Sequence, residues 1–250
     1  MHYLPSAATG LNIEHSKDTY MTTDLADIRR DFDRVSSDVV KQASTYAASI
    51  LADVAGRRGT VDGRIRALST TTRLAGPAFT IEVRPGDNLM IHAAMAMAKP
   101  GDILVVDGKA DANCALMGSI MLNACKKLGL GGVVLDGAHR DTEELLQLGF
   151  PVYSVGANPN GPTKYVPGRI NWPISCGGVA VCPGDLIVGD ADGVVVIERE
   201  KAEAMLSLAT QKVADEKQRI ADIVSGKSIR PKWLEGSLRA AGVLKEGEAL

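Results

Sequence analysis

Residues 131–141 read Gly-Gly-Val-Val-Leu-Asp-Gly-Ala-His-Arg-Asp, an apolar segment that ends in the cation Arg140 and the carboxylate Asp141. Upstream of it, residues 118–121 read Gly-Ser-Ile-Met. The spacing between the two segments fits one helix, a turn and a buried strand, which brings both to one edge of a sheet. A glycine-led turn that opens a helix offers backbone N–H groups to an anion, and the Arg-Asp pair adds a cation and an oxygen ligand. Together the segments predict one cleft that holds an acidic substrate on a metal ion.

Strand-like and helix-like segments alternate through the middle of the chain, which predicts an α/β fold. The expected strands are 76–83, 102–107, 133–135 and 151–155, and the expected helices are 87–98, 115–128 and 142–148.

The helix expected at 115–128 presents one apolar face and ends at Gly129. That face consists of Ile120, Met121, Ala124 and Leu128. Met117 is predicted to pack in the core. From residue 169 to 197, short apolar runs broken by Gly-Gly and Pro-Gly-Asp predict an antiparallel meander. Pro-Gly-Asp also occurs at residues 85–87 and 100–102, and we interpret it as a turn motif.

The segments on either side of this core are predicted to be helical. Residues 24–55 place apolar side chains at helical spacing with Ser36 or Ser37 as the N-cap, and residues 1–19 are predicted to be a polar arm. A charged helix is expected at 198–223, before a polar tail that carries apolar side chains such as Trp233. Apolar side chains on a polar tail predict a homo-oligomer.

We divide the chain, as one domain overall, into three parts: an arm with helices (1–60), a core (61–200), and a C-terminal helix with its tail (201–250).

The composition excludes several classes of protein. The net charge is −2 and aromatic residues make up 4%, so no nucleic-acid partner is expected. Four scattered cysteines without a CxxC pair argue against a zinc site or a disulfide framework. No stretch of about 18 apolar residues and no basic leader occur, which predicts a cytoplasmic protein without a membrane partner.

Residues 156–164 carry two glycines five apart, but Pro162 stands where a phosphate-binding loop requires lysine, so we expect an ordered loop without bound nucleotide. Of the histidines, His92 is predicted to be structural, and His139 either lines the cleft or is structural. Ser119 lacks the G-x-S-x-G context of a nucleophile.

Asp141 has a second interpretation that the local pattern leaves open. Asp141 and Glu144 have the spacing of a helix start, in which Asp141 would cap the helix at 142–148. Arg140 would then be a solvated charge on a loop.

A series of short motifs between residues 76 and 199 is similar to the RraA-like family, which includes class II pyruvate aldolases and a regulator of ribonuclease E activity. These motifs are Gly76-Pro77-Ala78, Gly86-Asp87-Asn88, Pro100-Gly101-Asp102, Val105-Val106-Asp107-Gly108, Gly118, Asp136-Gly137, Arg140-Asp141, Cys176-Gly177-Gly178-Val179, Pro183-Gly184-Asp185 and Asp192-Gly193-Val194. The resemblance implies a layered, swivelling β/β/α domain, here with N-terminal helices and a C-terminal helical tail, that assembles as trimers or hexamers.

By this resemblance Gly118, Ser119, Ile120 and Met121 form the substrate loop, Arg140 binds the substrate in a catalytic role, and Asp141 is the catalytic metal carboxylate. The implied cofactor is Mg²⁺ or Mn²⁺. The implied reaction is cleavage of a 4-hydroxy-2-oxo acid, such as 4-hydroxy-4-methyl-2-oxoglutarate, with decarboxylation of oxaloacetate as a side activity. The metal would chelate the C1 carboxylate and C2 carbonyl while Arg140 faces the developing enolate oxygen.

One position departs from the aldolase pattern. The aldolases carry an acidic residue where this chain has Ser119, and serine supplies a hydrogen bond without a charge. Asp107 or Asp111 is a candidate to compensate. The departure keeps a second function open, that of a non-catalytic RraA-like protein that binds and regulates another protein.

Overall fold

A computed structural model describes residues 27–250, so the predicted arm and the first residues of the helix expected from residue 24 lie outside the described residues. The strands are β1 (Asp27–Ile28), β2 (Arg66–Ala67), β3 (Leu74–Glu82), β4 (Ile103–Met117), β5 (Gly132–His139), β6 (Val152–Ala157), β7 (Arg169–Ile170), β8 (Ile174–Cys176), β9 (Val179–Val181), β10 (Leu186–Asp190) and β11 (Gly193–Ile197). The α-helices are α1 (Ser37–Ala43), α2 (Ala48–Val54), α3 (Leu89–Met97), α4 (Ser119–Lys127), α5 (Thr142–Leu148), α6 (Ala202–Val224) and α7 (Leu234–Ala240).

The centre of the fold is a sheet in which β3, β4, β5 and β6 lie side by side and parallel. Helices α3, α4 and α5 connect these strands in turn, as parallel pairing requires. The first residues of β3 pair instead with β10, antiparallel, and β10 pairs with β11. Strands β8 and β9 form a separate hairpin. The predicted meander is therefore two hairpins, of which one extends the main sheet.

Both faces of the central sheet are buried, which explains why its strands are almost continuously apolar. Alternate side chains of β4 point to opposite faces. Leu104 and Val106 pack in the cluster that includes the helices α3 to α5, and Ile103 and Val105 pack against the hairpins. A third cluster joins β10 and β11 to α1, α2 and α6. These layers form the scaffold that presents the ends of β4 and β5.

The prediction of a helix at 115–128 was wrong at its start. Residues Ala115 and Met117 belong to β4 and pair with β5, and α4 begins only at Ser119. The predicted apolar face was also wrong in part, because Ile120 is 82% exposed and Leu128 is exposed. The buried side chains of α4 are Met121, Leu122 and Cys125. The predicted burial of Met117 and the stop at Gly129, which has a φ of 74°, are confirmed.

The prediction of a helical segment over residues 24–55 was wrong in its first part, because residues 27–28 form β1 and no helix in the described part of the chain begins before Ser37. The rest of the segment consists of the two short helices α1 and α2 with a turn between them. Ser36 caps α1 by accepting a hydrogen bond from the Val39 backbone at 3.3 Å, as predicted. Among residues 27–250 no helix is both long enough and apolar enough to cross a bilayer.

The Pro-Gly-Asp motifs form turns, as predicted. Gly101 and Gly184 have positive φ, which glycine adopts without strain. The carboxylates of Asp102 and Asp185 each accept a hydrogen bond from the backbone N–H three residues earlier in the chain. The third motif, around Gly86, differs, because the carboxylate of Asp87 accepts hydrogen bonds from the loop after β6.

Candidate active site

A cavity of about 200 Å³ lies at the carboxyl ends of β4 and β5, the edge of a parallel sheet where ligands usually bind. Its lining comes from five parts of the chain: the start of α3, the end of β4, the start of α4, the residues after β5, and the loop after β6. The lining residues are Asn88, His92, Ala115, Leu116, Met117, Gly118, Ile120, Met121, Arg140, Asp141, Pro162 and Lys164. The structure thus brings together Gly118, Ile120, Met121, Arg140 and Asp141.

Asp141 stands at the start of α5, yet its carboxylate makes no capping hydrogen bond to that helix. Its Oδ2 atom instead accepts a hydrogen bond from the backbone N–H of Ser119, at 2.8 Å, at the start of α4. The backbone of Asp141 has a φ of 64°, a left-handed conformation that costs about 1 kcal/mol in a residue other than glycine. The helix-cap interpretation is therefore wrong for the side chain, because the carboxylate faces the cavity and a neighbouring helix.

Arg140 lies beside this carboxylate. Its Nε atom is 3.7 Å from Oδ2 of Asp141, and its backbone N–H donates to the carbonyl of Met117 at 3.0 Å. The pair remains partly accessible, with 41% of the Arg140 side chain and 31% of the Asp141 side chain exposed. The guanidinium and the carboxylate are thus held together at the mouth of the cavity, where both reach a ligand.

Two glycines make room for this pair. A Cβ atom on Gly118 would lie 2.5 Å from Oδ2 of Asp141 and 2.9 Å from Cγ of Arg140, so any side chain there would displace both. A Cβ atom on Gly161 would lie 3.0 Å from Nη1 of Arg140. Close approach of the arginine therefore explains the absence of a side chain at both positions.

The substrate loop differs in one respect from the expectation. The N–H of Ser119 is occupied by Asp141, and Ser119 is not among the residues that line the cavity. The start of a helix leaves its first N–H groups without partners inside the helix. Those of Ile120 and Met121 remain the available donors for an anion, because the described residues provide them with no acceptor.

Neither proposed substitute for the missing acidic residue reaches the cavity. Asp107 accepts hydrogen bonds from the backbone and Nζ of Lys109, and Asp111 accepts them from Asn113. The expectation that either compensates for Ser119 was wrong, because other partners hold both carboxylates away from the cavity.

The prediction that His92 is structural was wrong, and His139 has the structural one of the two roles that the sequence left open. His139 is buried, and its ring nitrogens contact the hydroxyls of Ser154 (2.7 Å) and Thr142 (3.1 Å), so it is structural. Burial lowers the pKa of His139 below the ordinary value, although the nearby Asp141 carboxylate opposes this. His92 is exposed on α3 and lines the cavity. Partial burial, and then the charge of Lys164, lower the pKa of His92.

Sequence reasoning missed Asn88, His92 and Lys164 as cavity residues. What connects them in the structure is Asp87 of the first Pro-Gly-Asp motif, whose side chain is almost fully buried. A buried carboxylate must find hydrogen-bond donors, and Asp87 finds them in the loop that carries Lys164.

The donor set suits one kind of metal ion. Within residues 27–250 no group of three His, Cys, Asp or Glu side chains encloses a metal site, and Asp141 is the one carboxylate on the cavity wall. Its second oxygen, Oδ1, has no hydrogen-bond partner among those residues. Mg²⁺ retains several waters and is often held by one or two carboxylates together with its substrate. The residues present therefore fit a magnesium ion held by Asp141, and they do not fit a site built entirely from protein ligands.

Comparison with known proteins places the chain in a family. Residues 22–196 match the family model described as RraA-like, Aldolase/RraA. A protein of Halalkalibacterium halodurans, provisionally named 4-hydroxy-4-methyl-2-oxoglutarate aldolase, is 41% identical over 73% of this chain and 87% of its own length. A Burkholderia mallei protein with the same provisional name is 34% identical over 57% of this chain and 86% of its own. The crystal structure of Streptomyces coelicolor RraAS2, described as an unusual member of the RNase ES inhibitor RraA protein family, aligns with a TM-score of 0.69 at 26% identity, over 76% of this chain and 98% of that one.

Proposed function

The chain belongs to the RraA-like family, and from that premise and the cavity geometry we propose that it is a metal-dependent lyase that cleaves a 4-hydroxy-2-oxo acid to pyruvate. 4-Hydroxy-4-methyl-2-oxoglutarate is the substrate that the names of its relatives suggest. One observation carries the proposal: the Asp141 carboxylate accepts a hydrogen bond from the N–H of Ser119 and lies beside Arg140 at the mouth of the cavity, and it does not cap α5.

The proposed reaction breaks the bond between C3 and C4 of the substrate. The C4 hydroxyl loses its proton, C4 becomes a carbonyl, and the electron pair of the broken bond becomes an enolate whose charge lies on the C2 oxygen. Protonation of C3 then gives pyruvate. A catalyst must stabilise the enolate charge, and preorganised cations perform this best in a partly enclosed site.

Arg140 has the chemistry for that task. Its guanidinium is permanently charged and presents several N–H donors to an oxygen anion. The carbonyl of Met117 holds the backbone N–H of Arg140, and the Arg140 side chain lies against Asp141 and the small residues Gly118 and Gly161. The open N–H groups of Ile120 and Met121 would bind the C1 carboxylate at the positive end of α4.

Asp141 would hold the metal through Oδ1, the oxygen that Ser119 leaves free. Bound Mg²⁺ or Mn²⁺ supplies a Lewis acid for the 2-oxo acid group. The hydrogen bond from Ser119 fixes the orientation of the carboxylate, as a hydrogen bond to a ligating group commonly does. The same enolate chemistry would allow decarboxylation of oxaloacetate.

A second candidate is a non-catalytic protein that binds and regulates a partner protein. The uncharged Ser119 favours it, because a site with one carboxylate holds a metal less firmly than a site with two. The structural relative described as an RNase ES inhibitor family member points the same way. Absence of Mg²⁺ binding by calorimetry, together with a co-purifying protein, would favour this candidate over the lyase.

The direct test offers 4-hydroxy-4-methyl-2-oxoglutarate and oxaloacetate to the purified protein and follows pyruvate release with added Mg²⁺ and with EDTA. The proposal predicts release that EDTA abolishes and Mg²⁺ restores. Release that EDTA leaves unchanged would remove the metal from the account, and no release from either acid would favour the regulatory candidate.

We also propose a homo-oligomer, a trimer or a hexamer. Trp233 is 67% exposed, and α6 exposes Leu208, Ile220 and Val224, which supports a subunit contact through α6 or the C-terminal tail. Sedimentation as a monomer at micromolar concentration would contradict this proposal.

A further inference from the structure

A buried chain of hydrogen bonds lies next to the Arg140-Asp141 pair, and the proposed chemistry does not use it. The His139 ring on β5 contacts the hydroxyl of Ser154 on β6 through Nδ1, at 2.7 Å. Its Nε2 atom contacts the hydroxyl of Thr142 on α5, at 3.1 Å. His139 and Ser154 are each 4% exposed, so the ring is shielded from water. The chain therefore connects Thr142 to two neighbouring strands.

The contact between His139 and Thr142 encloses the functional pair. His139 is the last residue of β5 and Thr142 is the first residue of α5, so Arg140 and Asp141 are the two residues between them. The side-chain contact thus closes the turn that carries the guanidinium and the carboxylate.

The sheet holds the first end of this turn. His139 pairs with Met117 of β4 on one side and with Ala157 of β6 on the other. Its carbonyl also accepts a hydrogen bond from the backbone N–H of Asn158, at 2.9 Å. The end of β5 therefore cannot shift without breaking contacts to both neighbouring strands.

The second end of the turn, at the start of α5, has fewer restraints. Its N-cap residue, Asp141, makes no capping hydrogen bond, because the carboxylate accepts one from Ser119 on α4. Within residues 27–250, the contact between Thr142 and His139 is the one side-chain hydrogen bond that connects the first turn of α5 to the sheet.

The backbone of Asp141 needs such a restraint. Its φ of 64° and ψ of 41° are left-handed, a conformation that residues other than glycine retain only where the surrounding structure holds them. The Ser119 N–H holds the carboxylate, but it does so at the accessible mouth of the cavity. The contact of Thr142 with the buried His139 ring holds the backbone on the other side of the strained residue.

We propose that Thr142 is a positioning residue, whose hydroxyl, held by His139, keeps Asp141 in the conformation that directs its carboxylate to Ser119 and the cavity. Thr142 is not among the residues that line this cavity, so it acts through Asp141 and not on the substrate. The inference rests on the proposed function in one respect, because an effect on the reaction rate requires Asp141 to act in the lyase reaction.

The test compares Thr142→Val, which removes the hydroxyl and keeps the branched shape, with Thr142→Ser, which keeps the hydroxyl. Hydrogen exchange followed by NMR reports on the Ser119 N–H, which donates to Asp141. The Leu122 N–H, which donates to the carbonyl of Gly118, is the reference in the same helix. Relative to Leu122, the Ser119 N–H should exchange at least about fivefold faster in Thr142→Val than in the wild-type protein. In Thr142→Ser the ratio should remain within about twofold of the wild-type value.

Kinetics of the same variants test the consequence for the reaction. With saturating Mg²⁺ and 4-hydroxy-4-methyl-2-oxoglutarate, Thr142→Val should lower kcat for pyruvate release by at least about tenfold, and Thr142→Ser should retain most of the rate. Thr45→Val is the matched control. It removes an exposed hydroxyl that donates to the carbonyl of Gln42, away from the cavity, and should retain the wild-type kcat.

An unchanged exchange ratio in Thr142→Val, or equal effects of Thr142→Val and Thr142→Ser, would overturn the inference. Equally faster exchange at Ser119 and Leu122 would also overturn it, because it would show a general loosening of α4. So would an active Thr142→Val protein with the wild-type kcat. Absence of pyruvate release from the wild-type protein would count only against the proposed lyase, because the exchange ratio is measured without substrate and still decides the inference.

Discussion

The Oδ2 atom of Asp141 lies 2.8 Å from the backbone nitrogen of Ser119, so the residue that begins α5 directs its carboxylate to the first N–H of α4. The left-handed backbone of Asp141 makes this direction possible. A residue in a sparsely populated conformation is retained where the surrounding structure demands it, and such residues are frequent at functional sites. The sequence thus has the local pattern of a helix cap for α5, although the Asp141 side chain accepts its hydrogen bond from α4.

This geometry predicts different stabilities for two variants of Asp141. Asn tolerates a left-handed backbone and retains an acceptor for the Ser119 N–H, so Asp141→Asn should change the free energy of unfolding by less than about 1 kcal/mol. Asp141→Val places a β-branched side chain in that conformation and removes the acceptor, and should cost at least about 2 kcal/mol. Urea unfolding measures both. Equal stability of the two variants would contradict the described backbone and hydrogen bond.

The close approach of Gly118 to the Arg-Asp pair predicts that Gly118→Ala lowers kcat/KM for pyruvate release by at least about tenfold. The added methyl group would push the Asp141 carboxylate and the Arg140 side chain apart, and displacements of about 1 Å in a catalytic group are costly. Gly156→Ala is the matched control, because no atom lies within 4 Å of the position of its Cβ. Similar rates for the two variants would show that Gly118 is not needed for the site.

Gly161→Ala should have a smaller effect of the same kind. The new Cβ would lie 3.0 Å from Nη1 of Arg140, the flexible end of a side chain that can move by a few tenths of an ångström. We expect kcat to fall by about three- to tenfold, with little change in the melting temperature. A loss of stability without a loss of kcat would assign Gly161 to the loop and not to Arg140.

The pH dependence of stability should report on His139. Burial lowers its pKa in the folded state, so below the unfolded value of about 6.5 the unfolded chain takes up a proton more readily than the folded one. The contribution of His139 to the free energy of unfolding is therefore fully present above the unfolded pKa. It is lost as the pH decreases through the folded pKa. Urea unfolding at pH 7.5, 6.5 and 5.5 should show this decrease, and His139→Gln should reduce its slope. An identical slope in the variant would show that other groups cause it.

The sequence predicts much of the fold and only one half of the site. The alternation of apolar strands and helices between Leu74 and Ala157 is local, so patterning locates it. The start of α4 was misplaced because Ala115 to Met117 are apolar in either a strand or a helix, and only pairing with β5 distinguishes the two. Lys164 and His92 were missed for a related reason. The hydrogen bonds of Asp87 that bring them together connect residues 76 or more apart in the chain, and no local pattern encodes them.

The most direct test of the account compares kcat/KM for pyruvate release from 4-hydroxy-4-methyl-2-oxoglutarate, with saturating Mg²⁺, between the wild-type protein and Asp141→Asn. Because the amide should keep the fold but remove the charge, the account predicts a loss of at least about 100-fold. Asp192→Asn, which neutralises an exposed carboxylate away from the cavity, should retain the wild-type rate. Activity of Asp141→Asn within a few-fold of the wild-type value would contradict the claim that this carboxylate acts in the reaction.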